Sequence, residues 1–125
     1  MPLKNFSIAS AGDGASYATL EKTITIKSQC NVVFLIRFET TRNGQGQYPT
    51  DRTTLKVNDV TQTYNLYEDL MKATGDGKYD GTGARDLYYF LSLKAGDKVY
   101  VKATSGNWEM YLKWKAFAPS DFSYN

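Results

Sequence analysis

The sequence predicts an all-β domain: a two-sheet antiparallel β-sandwich, jelly-roll-like, of about eight strands, with at most one short helix near 67–72. Three observations carry that expectation. Apolar and polar residues alternate with period two along most of the chain. Turn-forming runs of Gly, Asn and Asp interrupt the alternation at short intervals. No long segment keeps the helical spacing of apolar residues. The 125 residues make a single domain, 1–125, with short extensions at 1–10 and 118–125. At that length folding buries roughly two-thirds of the unfolded surface, so no metal or disulfide is required for stability.

The elements follow in order. Residues 4–9 form a first short strand, and 11–16 (AGDGAS) a loop. Residues 20–27 alternate, with Leu20, Ile24 and Ile26 on one side. Residues 31–40 (NVVFLIRFET) set Val32, Phe34, Ile36 and Phe38 on one face and Val33 and Leu35 on the other. A strand apolar on both faces is expected at a sheet centre, covered twice. Residues 42–51 (RNGQGQYPTD) are polar and turn-rich, a loop. Residues 53–57 and 60–66 flank Asn58-Asp59, a dipeptide that tolerates positive φ and predicts a tight hairpin. Tyr67, Leu70 and Met71 fall at helical spacing, which predicts one or two turns of helix. Residues 74–83 (TGDGKYDGTG) hold four glycines and read as an exposed loop.

Residues 87–117 (LYYFLSLKAGDKVYVKATSGNWEMYLKWKAF) are the most legible stretch and read as three strands folded back on each other. Leu87, Tyr89, Leu91 and Leu93 face inward on the first. Val99, Val101 and Ala103 do so on the second, and Trp108, Met110, Leu112, Trp114 and Ala116 on the third. Parity then fits Lys94-Ala95-Gly96 to a three-residue loop with Gly96 left-handed, and 104–107 to a four-residue loop. This register sets Tyr100 opposite Tyr111, Lys102 opposite Glu109 and Lys98 opposite Lys113. Tyr88, Tyr100 and Tyr111, fringed by lysines, would form one surface. The tail 118–125 (APSDFSYN) carries Phe122 and Tyr124, aromatics that call for cover on the domain or on a neighbouring subunit. Leu3, Phe6 and Ile8 pose the same question at the other end.

Composition excludes several chemistries. Histidine is absent, which removes the commonest general base and the Ser-His-Asp and Cys-His arrangements. The single cysteine, Cys30, has no partner for a disulfide or thiolate metal site and reads as a buried small hydrophobe. Net charge is +2, too balanced for general nucleic-acid binding. No apolar run reaches the length of a membrane span, and no basic segment followed by an apolar run marks a secretory signal. Nothing pairs any two carboxylates as a catalytic dyad, so no enzyme and no cofactor is expected. Asp76, Asp80 and Asp86 are weak metal candidates, because Asp-Gly pairs are ordinary turn chemistry. Tyr48, Tyr79 and Asp80 are the candidate ligand contacts if loop aromatics stack on a sugar.

The stretch 87–117, with its L-K-A-G-D-K-V turn and aromatic last strand, resembles the C-terminal half of C1q/TNF-like jelly rolls. Residues 22–66, through TITIKSQCNVVFLIRF and TTLKVNDVTQTY, resemble the front half. Small β-sandwich proteins of bacteriophage virions look similar: head decoration proteins, fibre tips and baseplate or tail parts. Secreted C1q-like proteins carry a signal peptide and often a collagenous stalk; neither is read here, which turns the resemblance toward the phage proteins. It implies a homo-oligomer, a trimer above all, or contacts with other virion proteins. The expectation is therefore a structural or decorating protein of a phage-like particle, located in the virion and made in the host cytoplasm. Tyr88, Tyr100, Tyr111, Phe122 and Tyr124 would supply the subunit interface. The alternative is a carbohydrate-binding module or lectin for a cell-surface glycan.

Overall fold

The computed structural model describes residues 3–14, 17–40, 52–66, 83–105 and 110–125. These contain β1 (Lys4–Ala11), β2 (Thr19–Thr25), β3 (Cys30–Thr40), β4 (Thr53–Val57) and β5 (Val60–Thr61). There follow β6 (Asn65–Leu66), β7 (Gly83–Leu93), β8 (Lys98–Thr104) and β9 (Met110–Ala118). All pairing is antiparallel, and it is nested: β1 with β9, β2 with β8, β3 with β7 and β4 with β5. A long hairpin rolled up in this way is a jelly roll. Lateral pairs β3–β9 and β4–β8 complete two sheets, ordered β1-β9-β3-β7-β6 and β2-β8-β4-β5.

Alternation explains the core between them. Phe34, Ile36, Phe38, Leu87, Tyr89, Leu112 and Trp114 point inward from the larger sheet and are buried. Leu20, Ile24, Leu55, Val99, Val101 and Ala103 meet them from the smaller sheet. Phe34 and Trp114 pack edge to face, with ring centroids 5.4 Å apart. Each such side chain contributes about 1.5–3 kcal/mol by leaving water. Burial pushes the Tyr89 phenol well above its ordinary pKa, with the nearby Tyr64 adding to the shift. Cys30 is buried as expected; burial pushes its thiol up, and Asp121 adds to that.

The Asn58-Asp59 hairpin forms as the dipeptide predicts, with φ of 48° and 69° and Val57 opposite Val60. Its second strand is shorter than 60–66. It ends at Thr61, and the chain crosses to the other sheet to enter as β6 beside β7. β3 is central, between β9 and β7. On its outer face Leu35 is buried and Val33 only partly.

The final three strands do not lie side by side. β8 sits between β2 and β4 in the smaller sheet, while β7 and β9 flank β3 in the larger. Lys94-Ala95-Gly96 is thus a crossing between sheets, although Gly96 does take the left-handed conformation, at φ 93°. The inward rows hold for Leu87, Tyr89, Leu93, Val99, Val101, Ala103, Leu112, Trp114 and Ala116, with Leu91 half-buried. The pairings do not. Tyr100 lies opposite Thr23 and Lys56, Lys98 opposite Thr25, and Lys102 opposite Glu21 and Thr54. Lys113 lies opposite Arg37 and Ser10, and Tyr111 opposite Glu39. Period two decides which way a side chain points and is blind to which strand comes alongside.

The tail folds back on its own domain. Phe122 is buried, with ring centroids 5.2 Å from Phe6, 6.4 Å from Phe34 and 5.6 Å from Tyr124. Asn125 exchanges two backbone hydrogen bonds with Thr25, and the Lys27 N–H donates to the Ser123 carbonyl. The tail thereby lines the end of β2 as a short extra ribbon. Residues 4–11, at the opposite terminus, form the edge strand β1. The helical turns expected at 67–72 lie outside the described residues, as does the loop expected at 74–83 except for Gly83, which opens β7.

Candidate binding faces

The sandwich presents two outer faces of different character. On the larger sheet, register stacks the outward residues of β9, β3 and β7 in rows: Phe117, Val33 and Phe90; then Lys115, Leu35 and Tyr88; then Lys113, Arg37 and Asp86. The first row is apolar, with Phe90 exposed and Val33 and Phe117 half-buried. Phe90 is 59% exposed and Leu3, beside it, 54%. Leu3, Val33, Phe90 and Phe117 line a shallow depression with Asn31 and Ser92 at its rim.

The next rows are cross-linked by charge. Arg37 clamps Asp86 with both prongs, Nε to Oδ1 at 2.7 Å and Nη2 to Oδ2 at 2.9 Å. The Tyr88 hydroxyl donates to the same carboxylate at 3.2 Å. Arg37 also reaches Glu39 at 3.5 Å, and Lys113 reaches the other oxygen of Glu39 at 2.9 Å. The hydrogen bond to Asp86 raises the guanidinium pKa further, so Arg37 stays charged at every accessible pH. Asp86 is 5% exposed, and a carboxylate that buried needs such a partner. Asp86 lies in strand β7 rather than in a turn, with both carboxylate oxygens engaged by Arg37.

The face of the smaller sheet is threonine-rich and basic. Tyr100 stands at its middle, with Lys98 and Lys102 two residues away along β8 and Thr23 and Lys56 across on β2 and β4. The Tyr100 hydroxyl donates to Glu21 Oε2, which pushes the phenol pKa up and keeps the ring neutral. Beyond Lys98 lies the Asn58-Asp59 turn. Asn58 Nδ2 donates to Asp97 Oδ1 at 3.0 Å, and the Lys98 N–H donates to Asn58 Oδ1 at 2.9 Å. Asp97 Oδ2 accepts the Lys94 N–H at 2.9 Å. The Lys94 N–H and then the Asn58 amide hold the Asp97 carboxyl below its ordinary pKa.

The five aromatics expected at one interface therefore fall in three places. Tyr88 and Tyr111 share the outer face of the larger sheet, and Tyr100 lies on the opposite side of the molecule. Tyr111 also braces the β1–β2 loop: its hydroxyl donates to the Asp13 carbonyl at 3.3 Å. A side chain at Gly14 would come within 2.6 Å of that hydroxyl. Phe122 belongs to the core, and Tyr124 is half-buried against it. Tyr48, Tyr79, Asp80 and Asp76 lie outside the described residues, as does Trp108. Sequence reasoning missed Phe90 and Arg37; the signal for Phe90 was an outward parity shared with Tyr88. Among the described residues no helix is long and apolar enough to cross a membrane. In comparisons with known proteins, no family model, curated protein or solved structure matches the chain.

Proposed function

We propose that the chain is a non-enzymatic structural subunit that works by contact, through the outer face of the larger sheet, with further copies of itself. The observation that carries this reading is the apolar row of Phe90, Val33 and Phe117 with Leu3, set beside a charge network whose members are mutually satisfied. Large exposed aromatics in one patch, rimmed by polar groups, mark interaction surfaces. Phenylalanine and arginine are also enriched where such surfaces are tightest. The setting that suits such a subunit is a phage-like particle, as a decorating, fibre-tip or tail component, with a trimer as the favoured assembly. The carboxylates on these faces support a contact role over catalysis. Asp86 is tied to Arg37, Glu39 to Lys113 and Glu21 to Tyr100.

The test is mass in solution. Sedimentation of the wild-type chain is expected to give a defined oligomer, and Phe90→Ser combined with Leu3→Ser to give the 14.1 kDa monomer. Both side chains are exposed, so thermal unfolding of the variant's monomer should remain cooperative. A wild-type chain that is monomeric up to high concentration, or a variant that assembles unchanged, would overturn the reading.

A further inference from the structure

On the face away from that patch, a groove of about 300 Å³ runs between the Asn58-Asp59 turn and β8, lined by Thr23, Asn58, Asp59, Lys98 and Tyr100. We propose that this groove binds an acidic oligosaccharide, one whose sugar rings carry carboxylates, with Tyr100 as the stacking platform and Lys98 as the carboxylate partner.

Four features lead there. The first is a single fixed ring. Glu21 holds the Tyr100 hydroxyl, so the phenol is anchored by its tip. A pyranose has one apolar face of C–H groups, which suits a flat aromatic of that size. The second is a rigid rim. Asn58 has both ends of its amide engaged, by Asp97 and by the Lys98 N–H, and its own N–H donates to the Lys98 carbonyl at 2.9 Å. Binding then costs little ordering of the rim. The third is complementary polar chemistry. Asp59, held at φ 69° in the turn, is exposed and presents a carboxylate that accepts sugar hydroxyls. Thr23 offers a hydroxyl from the other wall. A few convergent polar groups around an apolar floor are what a small-ligand site needs.

The fourth feature is charge. Lys56, Lys98 and Lys102 surround Tyr100 and outnumber the two nearby carboxylates, Glu21 and Asp59. The ring thus sits in a positive field that favours an anionic sugar over a neutral one. Single-stranded nucleic acid fits less well. It needs successive stacking platforms, and the outward positions beside Tyr100 hold lysine and threonine.

The experiment is a titration of the isotope-labelled full-length chain, followed by amide NMR shifts and calorimetry. The probes are a galacturonate trimer, the neutral galactose trimer, sodium sulfate and a mixed-sequence single-stranded oligonucleotide. The acidic trimer should shift Thr23, Asn58, Lys98 and Tyr100 and bind about tenfold or more tighter than the neutral trimer. Tyr100→Ala should weaken it by about tenfold or more, and Lys98→Gln should erase the preference for acid over neutral sugar. Tyr100→Phe keeps the stacking ring and loses only its anchor, so it should bind more weakly than wild type but more tightly than Tyr100→Ala, which guards against a fold effect in Tyr100→Ala. No shifts with the acidic trimer, equal binding of the neutral sugar, tighter binding of the oligonucleotide, the same shifts from sulfate alone, or wild-type binding by both variants would each overturn the proposal. The site is independent of the Phe90 patch, so either proposal can fail without the other.

Discussion

Two single residues hold more than their own position. Asp97 joins the Lys94–Asp97 crossing to the Asn58 turn through two hydrogen bonds, and its pKa is lowered by them. A carboxylate whose folded pKa is depressed adds stability above its unfolded pKa of about 3.9, and that stability is lost as pH falls through the folded value. Asp97→Ala is therefore expected to cost about 2 kcal/mol at neutral pH. The gap to wild type should narrow below about pH 4, as urea unfolding at both pH values would show. Trp114 is fully buried, yet its indole Nε1 finds no hydrogen-bond acceptor among the described residues. Trp114→Phe removes that orphan donor and keeps the ring packed on Phe34, so its cost should stay within about 1 kcal/mol. Trp114→Ala should cost about 3–5 kcal/mol in the same assay. The inward parity of Trp114 was legible in the sequence. The clamp of Arg37 on Asp86 was not, because it joins residues brought together only by the β3–β7 register.

Among the elements, β2 shows how an edge strand's exposure is managed. The backbones of Thr25 and Lys27 turn away from β8 and are taken up by Asn125 and Ser123. Lys22, at an inward parity, reaches across to the Ile8 carbonyl at the β1 irregularity, 3.5 Å away. A charge placed there discourages another strand from docking. Removing residues 119–125 would uncover both the β2 end and the hole left by Phe122. The loss should be about 3–5 kcal/mol by denaturant melt, with concentration-dependent scattering from the bared edge. The tail's two aromatics announced that it needed cover. The sequence analysis also expected both a jelly roll and a three-strand meander at 87–117, and these are incompatible. The nested pairing sends the chain to the other sheet at β7–β8 and back again at β8–β9, so the three strands part. Alternation fixed their faces correctly, and the local turn signals at Gly96 were real, yet neither encodes a partner.

At the scale of the molecule the nested pairing makes nearly every sheet contact distant in sequence: β1 meets β9, and β2 meets β8. Such topologies fold slowly, in about milliseconds to seconds. Stopped-flow refolding of the intact chain should fall in that range; a microsecond phase carrying the full amplitude would contradict the nested order. The position of β9 sharpens the point. It is the last strand in the chain and stands in the middle of a sheet, with β1 on one side and β3 on the other. A chain still emerging from the ribosome therefore has a slot where its final ribbon belongs, lined by the unmade edges of two strands. Until β9 is laid down, that slot is open to any other extended peptide, so chains that have made β1 and β3 but not yet β9 are the ones that most need to be kept apart.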